Sequence, residues 1–437
     1  MRRAIFGSRR STTLARMAMV AAALASTMAC TAGKPMDGSE GGTDAGASDG
    51  PGSDAGAGTD GGGGGGGGGW TALPLIDDTS SDPTVAHRGN DLVTGIYFES
   101  PDKGLIVTRQ DGLFNGRGGA VFKADRSAVT SIAFSGDDTA ARPGARHTGA
   151  IGFVGLERTA TGYIAIAYAN ETIASDDGGA TFTLRPNASS DRFGIESVLA
   201  YQATATGTTI VRDTGIVSVS DGPPGPEAIY QDVWAPYFDP NLPEAQCQAG
   251  PRASNATTPR TSAYVSSDRQ FLAYTSNPLF HPEICISTDG GAAFFPHPLE
   301  VPSAATHLTP TGVTFTSPTT GIAWFASNTA GAYIKRTSDG GTTWADIALP
   351  REVGSDAIEL PAGFFAPDGQ HGWLAGFDYT TRAALVITTA DGGATWSRVT
   401  GVADAVAAAH GDKLRSGFAL DATHVWLGGD HGVVIHN

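Results

Sequence analysis

One eight-residue phrase occurs four times in this chain, and it constrains the fold more than any other feature. Each copy carries an aspartate, then two glycines, and ends on an aromatic residue. The last two copies begin at residues 337 and 389, 52 residues apart. A phrase that returns at such a period predicts a propeller or a solenoid built from repeated units. The copies are residues 175–182, 287–294, 337–344 and 389–396.

The residues around each phrase alternate in the manner of β-strands. Tyr333–Arg336 precedes the third copy, and a second alternating run begins at Thr343. Two such runs around a glycine-rich turn predict a β-hairpin. Two further strand-like runs, from Gly312 and from Gly321, lie upstream. Four strands in about fifty residues are typical of a propeller blade.

Other segments resemble the four-stranded unit but lack the full phrase, and they raise the predicted number of blades. We therefore predict an all-β fold, a β-propeller of about seven four-stranded blades, with six or eight blades as the alternatives. One short helix is expected over 402–410. The predicted blades lie near 90–134, 150–187, 195–234, 261–300, 310–350 and 360–400, with a last one from about 413.

The last unit provides an internal check on this count. Three strands fit between Ser416 and His436, and the fourth is missing. The segment Trp70–Pro74 parallels the strand Trp344–Pro350 of a complete unit. We predict that a strand at residues 70–75 completes the final blade, which would close the ring and leave no long unpaired edge.

The N-terminal part of the chain differs in composition from the rest. Residues 1–29 have a basic start and then a short apolar run, which is typical of a signal peptide. Residues 30–69 consist mainly of Gly, Ala, Ser, Thr and Asp and predict a disordered tether, because they have little apolar surface to bury. The propeller is expected to occupy residues 70–437.

The end of the signal resembles the lipobox of bacterial lipoproteins. The string Thr27-Met28-Ala29-Cys30 matches it in part, which implies lipidation of Cys30. Ordinary signal cleavage and an uncleaved anchor are the alternatives. The chain is thus expected to be exported, either to the cell envelope as an outer-membrane or surface lipoprotein or as a secreted protein. Membrane contact is expected only through the lipid.

The net charge bears on the class of partner, and the cysteine count bears on disulfide formation. A formal net charge of −16 argues against binding to nucleic acid. Cys247 and Cys285 remain as a pair if Cys30 is lipidated, and an exported chain favours a disulfide between them, with two free thiols as the alternative. No metal site and no cofactor are predicted.

The repeated phrase resembles the Asp-box, or BNR repeat. Bacterial and viral sialidases, sortilin-type receptors and photosystem II assembly factors carry this motif, and the copies at 337–344 and 389–396 are most similar to those of the assembly-factor propellers. In those families the motif lies at the outer turn of a blade, away from the ligand face. A calcium site is a weak alternative, since one carboxylate per turn is far short of the ligands that calcium needs.

Each residue of the phrase has a local structural role. The aspartate accepts backbone N–H bonds in the turn, the glycines allow positive φ, and the aromatic ring packs between sheets. The residues assigned to this role are Asp177, Gly179, Phe182, Asp289, Gly291, Phe294, Asp339, Gly341, Trp344, Asp391, Gly393 and Trp396.

The sequence contains few residues in patterns typical of a catalytic site. Resemblance to sialidases implies three arginines that grip a carboxylate, a Tyr activated by a Glu, and an Asp acid/base, but the Arg-Ile-Pro string of those enzymes does not occur. Arg109, Arg158 and Arg212 could face the channel and are the candidate ligand residues. Asp421 and Asp430 are expected to cap turns. No catalytic residue is assigned.

The sequence therefore predicts a non-catalytic propeller that acts as a binding or assembly scaffold for an envelope or extracellular partner. That partner is an unknown protein or glycan, and the chain is expected to be a monomer. A BNR-class, sialidase-like glycoside hydrolase is the alternative, and it leaves the question of enzymatic activity open. An adhesion or stress protein that binds extracellular matrix is the third hypothesis.

Overall fold

A computed structural model describes much of the chain between residues 69 and 437. The chain divides into Met1–Gly65 and Gly66–Asn437, and all described residues lie in the second unit. The predicted signal, residues 30–68 of the predicted tether with Cys30, and Cys247 lie outside the described residues. The described residues are 69–73, 91–110, 120–125, 129–132, 134–135, 151–159, 162–168, 172–185, 198–204, 207–212, 216–220, 231–233, 262–268, 270–276, 282–291, 293–300, 309–327, 331–350, 353 and 357–437.

Within the described residues the strands form seven sheets, each with four antiparallel strands. Six sheets follow sequence order from the centre outwards, the last has the first strand of the chain outermost, and one has an added fifth strand. The prediction of an all-β fold of seven four-stranded blades is confirmed. The first strand, β1, is Thr71–Leu73. Blade 1 holds β2 (Asp91–Ser100), β3 (Lys103–Gln110), β4 (Val121–Ala124) and β5 (Val129–Ile132), and the short strand β6 (Phe134–Ser135) follows. Blade 2 holds β7 (Ile151–Arg158), β8 (Tyr163–Tyr168), β9 (Thr172–Ser175) and β10 (Phe182–Arg185). Blade 3 holds β11 (Val198–Thr204), β12 (Gly207–Arg212), β13 (Ile216–Ser220) and β14 (Gln231–Val233).

The remaining blades follow the same order. Blade 4 holds β15 (Ala263–Val265), β16 (Leu272–Ser276), β17 (Glu283–Ser287) and β18 (Phe295–Pro298). Blade 5 holds β19 (Thr309–Phe315), β20 (Gly321–Ser327), β21 (Gly331–Thr337) and β22 (Ala345–Ile347). Blade 6 holds β23 (Ile358–Phe365), β24 (Gly372–Asp378), β25 (Ala383–Thr389) and β26 (Ser397–Arg398). Blade 7 holds β27 (Leu414–Ala419), β28 (Val425–Gly429) and β29 (Val434–His436), and β1 completes it.

The first strands of the blades surround a central channel. Each of them, β2, β7, β11, β15, β19, β23 and β27, contacts the first strand of the blade before it and of the blade after it, and β27 contacts β2. Apolar clusters fill the spaces between neighbouring sheets. The contacts therefore form a closed ring rather than an open solenoid.

The ring is closed by the strand from the N-terminal side, as the sequence predicts. Thr71, Ala72 and Leu73 pair antiparallel with His436, Ile435 and Val434 of β29. Leu73 is 2 % exposed and packs in one cluster with Phe98 and Trp426, whose rings stack with centroids 3.9 Å apart. The described part of the closing strand is Thr71–Leu73, and residues 74 and 75 of the predicted strand lie outside the described residues.

Two local features complete the fold. The short helix α1 (Val402–Ala408) lies between blades 6 and 7 and buries Val402, Ala405 and Val406. Strand β6 pairs in parallel with β10 at the outer edge of blade 2, whereas the sequence placed Phe134, its first residue, in blade 1. Within the described parts of the chain, no helix is long and apolar enough to span a membrane.

Polar contacts join neighbouring blades beside the channel. Six of the seven inner strands in the described residues contain a β-bulge, which takes backbone groups out of the ladder. Thr94 Oγ1 donates to the carbonyl of Phe153 at 2.7 Å, and Ser416 Oγ donates to the carbonyl of Val93 at 2.8 Å. Similar contacts join Tyr201 to Leu156, Ser262 to Val313, and Trp324 to Leu360.

We predict that these contacts stabilise the ring. Replacement of Ser416 by Ala or of Thr94 by Val should lower the free energy of unfolding by about 1 kcal/mol each, because a carbonyl loses its donor. Denaturant unfolding of the full chain measures this. Ser397→Ala, at an exposed position on the outer strand of blade 6, is the control. Equal stability of Ser416→Ala and the control would show that the contacts do not hold the blades together.

Candidate functional site

The channel opens on two faces that differ in their turns. Because successive strands of a blade alternate in direction, the turn after the first strand and the turn after the third lie at the same end. Backbone bonds join these turns, such as Gly340 N to Thr319 O at 2.9 Å and Gly392 N to Gln370 O at 2.9 Å. We name this side the Asp-box face. The other side, where the inner strands begin, is the mouth face.

The repeated phrase builds one hydrogen-bonded turn on the Asp-box face. In the third copy, Asp339 Oδ1 accepts from the backbone N–H of Thr343 at 2.9 Å, and Oδ2 accepts from the Thr343 hydroxyl at 2.6 Å. The Thr337 hydroxyl donates to Asp339 and accepts from the N–H of Gly341. The Trp344 indole donates to the carbonyl of Gly341. In each of the other copies the aspartate, Asp177, Asp289 or Asp391, likewise accepts the backbone N–H four residues on, so all four carboxylates are bonded within their own turns.

These turns make stability sensitive to acid. Hydrogen bonds from the Thr343 and Thr337 side chains and the Thr343 backbone lower the pKa of Asp339 to about 2. A lowered pKa in the folded state stabilises the fold above the unfolded pKa, about 4, and this stabilisation is lost as pH falls towards 2. We predict that Asp339→Asn flattens the dependence of melting temperature on pH between about 4 and 2. Asp404→Asn, in α1, is the control, and an unchanged pH profile of Asp339→Asn would contradict the prediction.

A cavity of about 370 Å³ lies in the channel towards the mouth face. Six of the seven inner strands line it, at the level of the bulges. Many of the lining residues have small side chains. Four aromatic residues, Tyr201, Tyr264, Trp324 and Phe364, also line the cavity. Arg415 is the one charged residue in the lining among the described residues.

Arg415 is held in place by two carboxylates from different blades. It lies at the bulge of β27, near the mouth-face end of that strand. Its Nε and Nη2 donate to Asp430 at 2.8 and 3.1 Å, and its Nη1 donates to Glu359 of blade 6 at 2.7 Å. Burial opposes its charge, but these two partners outweigh burial and raise the pKa of Arg415. The guanidinium therefore has a fixed position beside the cavity.

Glu359 joins Arg415 to two further side chains. Tyr379, just after β24, donates its hydroxyl to Glu359 Oε2 at 2.8 Å, and Lys413 Nζ lies 3.8 Å from the same oxygen. Burial alone would raise the pKa of Glu359, yet the hydrogen bond from Tyr379 and the charges of Arg415 and Lys413 lower it. We name this set the mouth cluster: Glu359, Tyr379, Lys413, Arg415 and Asp430.

Comparison with solved structures places the fold among known propellers. YCF48 from Cyanidioschyzon merolae matches with a TM-score of 0.54 at 14% identity, over 84% of this chain and 98% of that one. A structure of YCF48 bound to a D1 peptide matches with a TM-score of 0.53 at 14% identity, over 84% and 96%. The similarity to photosystem II assembly-factor propellers is thus confirmed for the fold. No family model and no curated protein matches the sequence.

A glycoside hydrolase shares the fold as well. The GH74 xyloglucanase from Xanthomonas campestris matches with a TM-score of 0.52 at 15% identity. The match covers 83% of this chain but only 52% of the enzyme, so the chain spans about half its length. Enzymes and binding proteins thus both occur among propellers of this shape, and the function has to be argued from the site.

The three candidate arginines lie on strands of three different blades. Arg109 and Arg212 lie on second strands, in β3 and β12. Arg158 ends β7 on the Asp-box face, where it pairs with Glu99 and lies 5.6 Å from the ring centre of Tyr163. Arg109 and Arg158 do not line the described cavity, and a ligand role for all three arginines stays a prediction.

Two further predicted residues have observed positions. Cys285 is 1% exposed on β17 and is disulfide-bonded, and its partner lies outside the described residues, so the pairing with Cys247 stays a prediction. Asp421 caps its turn by accepting from the N–H groups of Thr423 and His424, as expected. The expectation that Asp430 caps a turn is wrong in that its carboxylate binds Arg415, which sequence spacing did not reveal.

Proposed function

We propose that the protein is a non-catalytic propeller that binds an extended peptide segment of a partner protein at the mouth face. The cavity beside Arg415 carries this proposal. Its volume lies within the usual range for ligand pockets, roughly 300–1,000 Å³, and would admit a few residues of a peptide. Bulged strands with small side chains offer backbone groups to an extended chain, while the aromatic residues offer apolar contact.

The comparison with YCF48 supports a peptide as the ligand class. One matching structure is described as YCF48 bound to a D1 peptide, and that propeller is matched over 96% of its length. We carry over only the ligand class. The partner that we propose is a protein of the envelope or the extracellular space, in keeping with the exported chain that the N-terminal sequence predicts.

The chemistry of the mouth cluster supports binding rather than catalysis. A glycosidase needs one carboxyl group with a raised pKa to protonate the leaving oxygen. The pKa of Glu359 is instead lowered, and Asp430 accepts two hydrogen bonds from Arg415. Both carboxylates are thus arranged to hold a cation, which suits a fixed recognition surface.

Selection of linear peptides from a displayed library on the full-length protein tests this proposal. Selected peptides should bind at least about tenfold more weakly to Tyr379→Ala and Arg415→Ala than to wild type, since each change removes a contact at the mouth. Lys103→Ala, which loses an ion pair with Glu99 on the Asp-box face, should bind like wild type. A library that yields no specific peptide, or peptides indifferent to the mouth variants, would contradict the proposal.

One observation favours a second function, a sialidase-like glycosidase. The hydrogen-bonded pair Tyr379–Glu359 beside Arg415 has the residue types of a tyrosine nucleophile with its activating glutamate. Hydrolysis of fluorogenic sialosides or xyloglucan oligosaccharides by the wild type, abolished in Tyr379→Phe, would establish it. Absence of turnover in both proteins would leave the binding function.

We also propose that the chain is exported and anchored by a lipid on Cys30. The partial lipobox, followed by a long tether of small residues, supports this, because such a tether would hold the folded domain clear of a membrane surface. Labelling with a radioactive fatty acid should mark the wild type and not Cys30→Ala. Equal labelling of both would exclude this anchor.

A further inference from the structure

The mouth cluster contains an aromatic cation site that the chain fills with its own lysine. Lys413 Nζ lies 5.3 Å from the ring centre of Phe377 and 5.1 Å from that of Tyr379. The two rings are nearly perpendicular, at 83°, with centres 5.1 Å apart. Glu359 and the Tyr379 hydroxyl, 3.3 Å from Nζ, complete the surroundings of the ammonium group. We name Phe377, Tyr379 and Glu359 the ammonium cage.

The walls of the cage are fixed, whereas the occupant can leave. Phe377 is 7% exposed on β24, and Glu359 is bound by Arg415 and Tyr379. Lys413 precedes β27, and its carbonyl accepts the N–H of Asp430, so its backbone is held as well. Its side chain, 24% exposed, has four rotatable bonds and can swing into solvent without any change in the backbone.

The cage is open to a ligand from outside. Tyr379 is 38% exposed and is one of two large apolar side chains exposed in the described part of the protein. Two aromatic rings and a carboxylate favour an organic ammonium ion over a neutral group. The net charge of −16 also favours the approach of a cationic partner.

We propose that the ammonium cage recognises a lysine side chain of the bound partner, and that this side chain displaces Lys413. Lys413 then acts as an internal competitor, which raises the threshold for binding until the rest of the partner segment is in place. The identification of the ligand as a peptide lysine rests on the proposed function. The cage is tested with a small cation and without a peptide. Failure of the cage can therefore be distinguished from failure of the proposed peptide-binding function.

The probe is n-butylammonium, which carries the same cation and stem as a lysine side chain, with n-butanol as its neutral counterpart. We expect full-length Lys413→Ala to bind n-butylammonium about tenfold more tightly than wild type, because the competitor has been removed. NMR shifts of the Phe377 and Tyr379 ring protons and the rise in melting temperature report binding. n-Butanol should cause neither at the same concentration.

Three further variants sharpen the test. Lys413→Ala combined with Glu359→Gln should lose the gain in affinity, since the cage has lost its charge. Lys413→Met fills the cage with a neutral stem and should bind no better than wild type. Lys103→Ala removes the lysine of an ion pair that has no aromatic cage, and it should not gain affinity for n-butylammonium. Should Lys413→Ala not fold, Lys413→Ser replaces it.

The proposal is overturned if vacating the cage brings no gain in affinity for n-butylammonium over wild type. It is equally overturned if the gain persists with Glu359→Gln, or if n-butanol binds as well as the cation. A gain that depends on both the empty cage and Glu359 establishes the site. A lysine-bearing version of a selected peptide should then bind at least about tenfold more tightly than its norleucine-bearing version, and equal affinities would overturn the assignment of the cage to a lysine of the partner.

Discussion

Leu73→Asp should lower the free energy of unfolding by about 4 kcal/mol, one of the largest effects expected of a single change in this protein. Leu73 is the most buried residue of the closing strand and lies in a cluster with Val93, Phe98 and Trp426. A carboxylate there would lose its hydration without gaining a partner, and β1 would leave β29. The edge of β29 would then be exposed, so we also expect aggregation. Thermal unfolding with size-exclusion chromatography measures both effects.

The matched control places the same charge on the same strand. Thr71→Asp introduces a carboxylate at an exposed position that pairs with His436, and it should leave stability within about 0.5 kcal/mol of wild type. If Leu73→Asp melted like Thr71→Asp, the N-terminal strand would not be the element that closes the ring.

Gly341→Ala should destabilise the protein by about 3 kcal/mol. Its φ of +91° disfavours any residue with a Cβ atom, and an added Cβ would lie 2.1 Å from Cδ1 of Ile286 in blade 4. The second glycine of the phrase thus lets the turn of one blade approach the next sheet. Denaturant unfolding of the full chain gives the difference in free energy.

Two comparisons separate the strain from the clash. Gly178→Ala, with a φ of +71° and only Lys103 Nζ near its added Cβ at 3.9 Å, should cost about 1 kcal/mol from backbone strain alone. Ile286→Ala should partly compensate Gly341→Ala, so that the two changes together cost less than their sum. The packing of Gly341 against Ile286 would be excluded if the losses in unfolding free energy of Gly341→Ala and Ile286→Ala were strictly additive. Equal losses for Gly341→Ala and Gly178→Ala would exclude it as well.

The architecture could be predicted because the sequence repeats the same motif, with its flanking strands, in several blades. Each Asp-box phrase with its flanking strands specifies a hairpin, and the parallel between Trp70–Pro74 and Trp344–Pro350 revealed the closing strand. Local hydrogen bonds and alternation determine these features, and both are visible over a few residues. Strand β6 escaped prediction, because two residues carry too little pattern to show that they join blade 2 rather than blade 1.

The mouth cluster could not be predicted, because its members are brought together by the ring. Glu359 and Arg415 lie 56 positions apart on different blades, and each follows no motif. Of the three arginines chosen from the sequence, Arg158 lies on an inner strand, β7, whereas Arg109 and Arg212 lie on second strands. The bulge at Arg415 alters which residues point inwards, and the sequence pattern carries no sign of it.

Hydrogen–deuterium exchange on the full-length protein with a selected peptide tests the central claim, a closed ring that binds a partner at its mouth face, most directly. The account predicts protection confined to the starts of β23 and β27 and to the turn after β24, where the mouth cluster and the cavity lie. Protection at the Asp-box turns instead, or none at all with a peptide that binds, would contradict it.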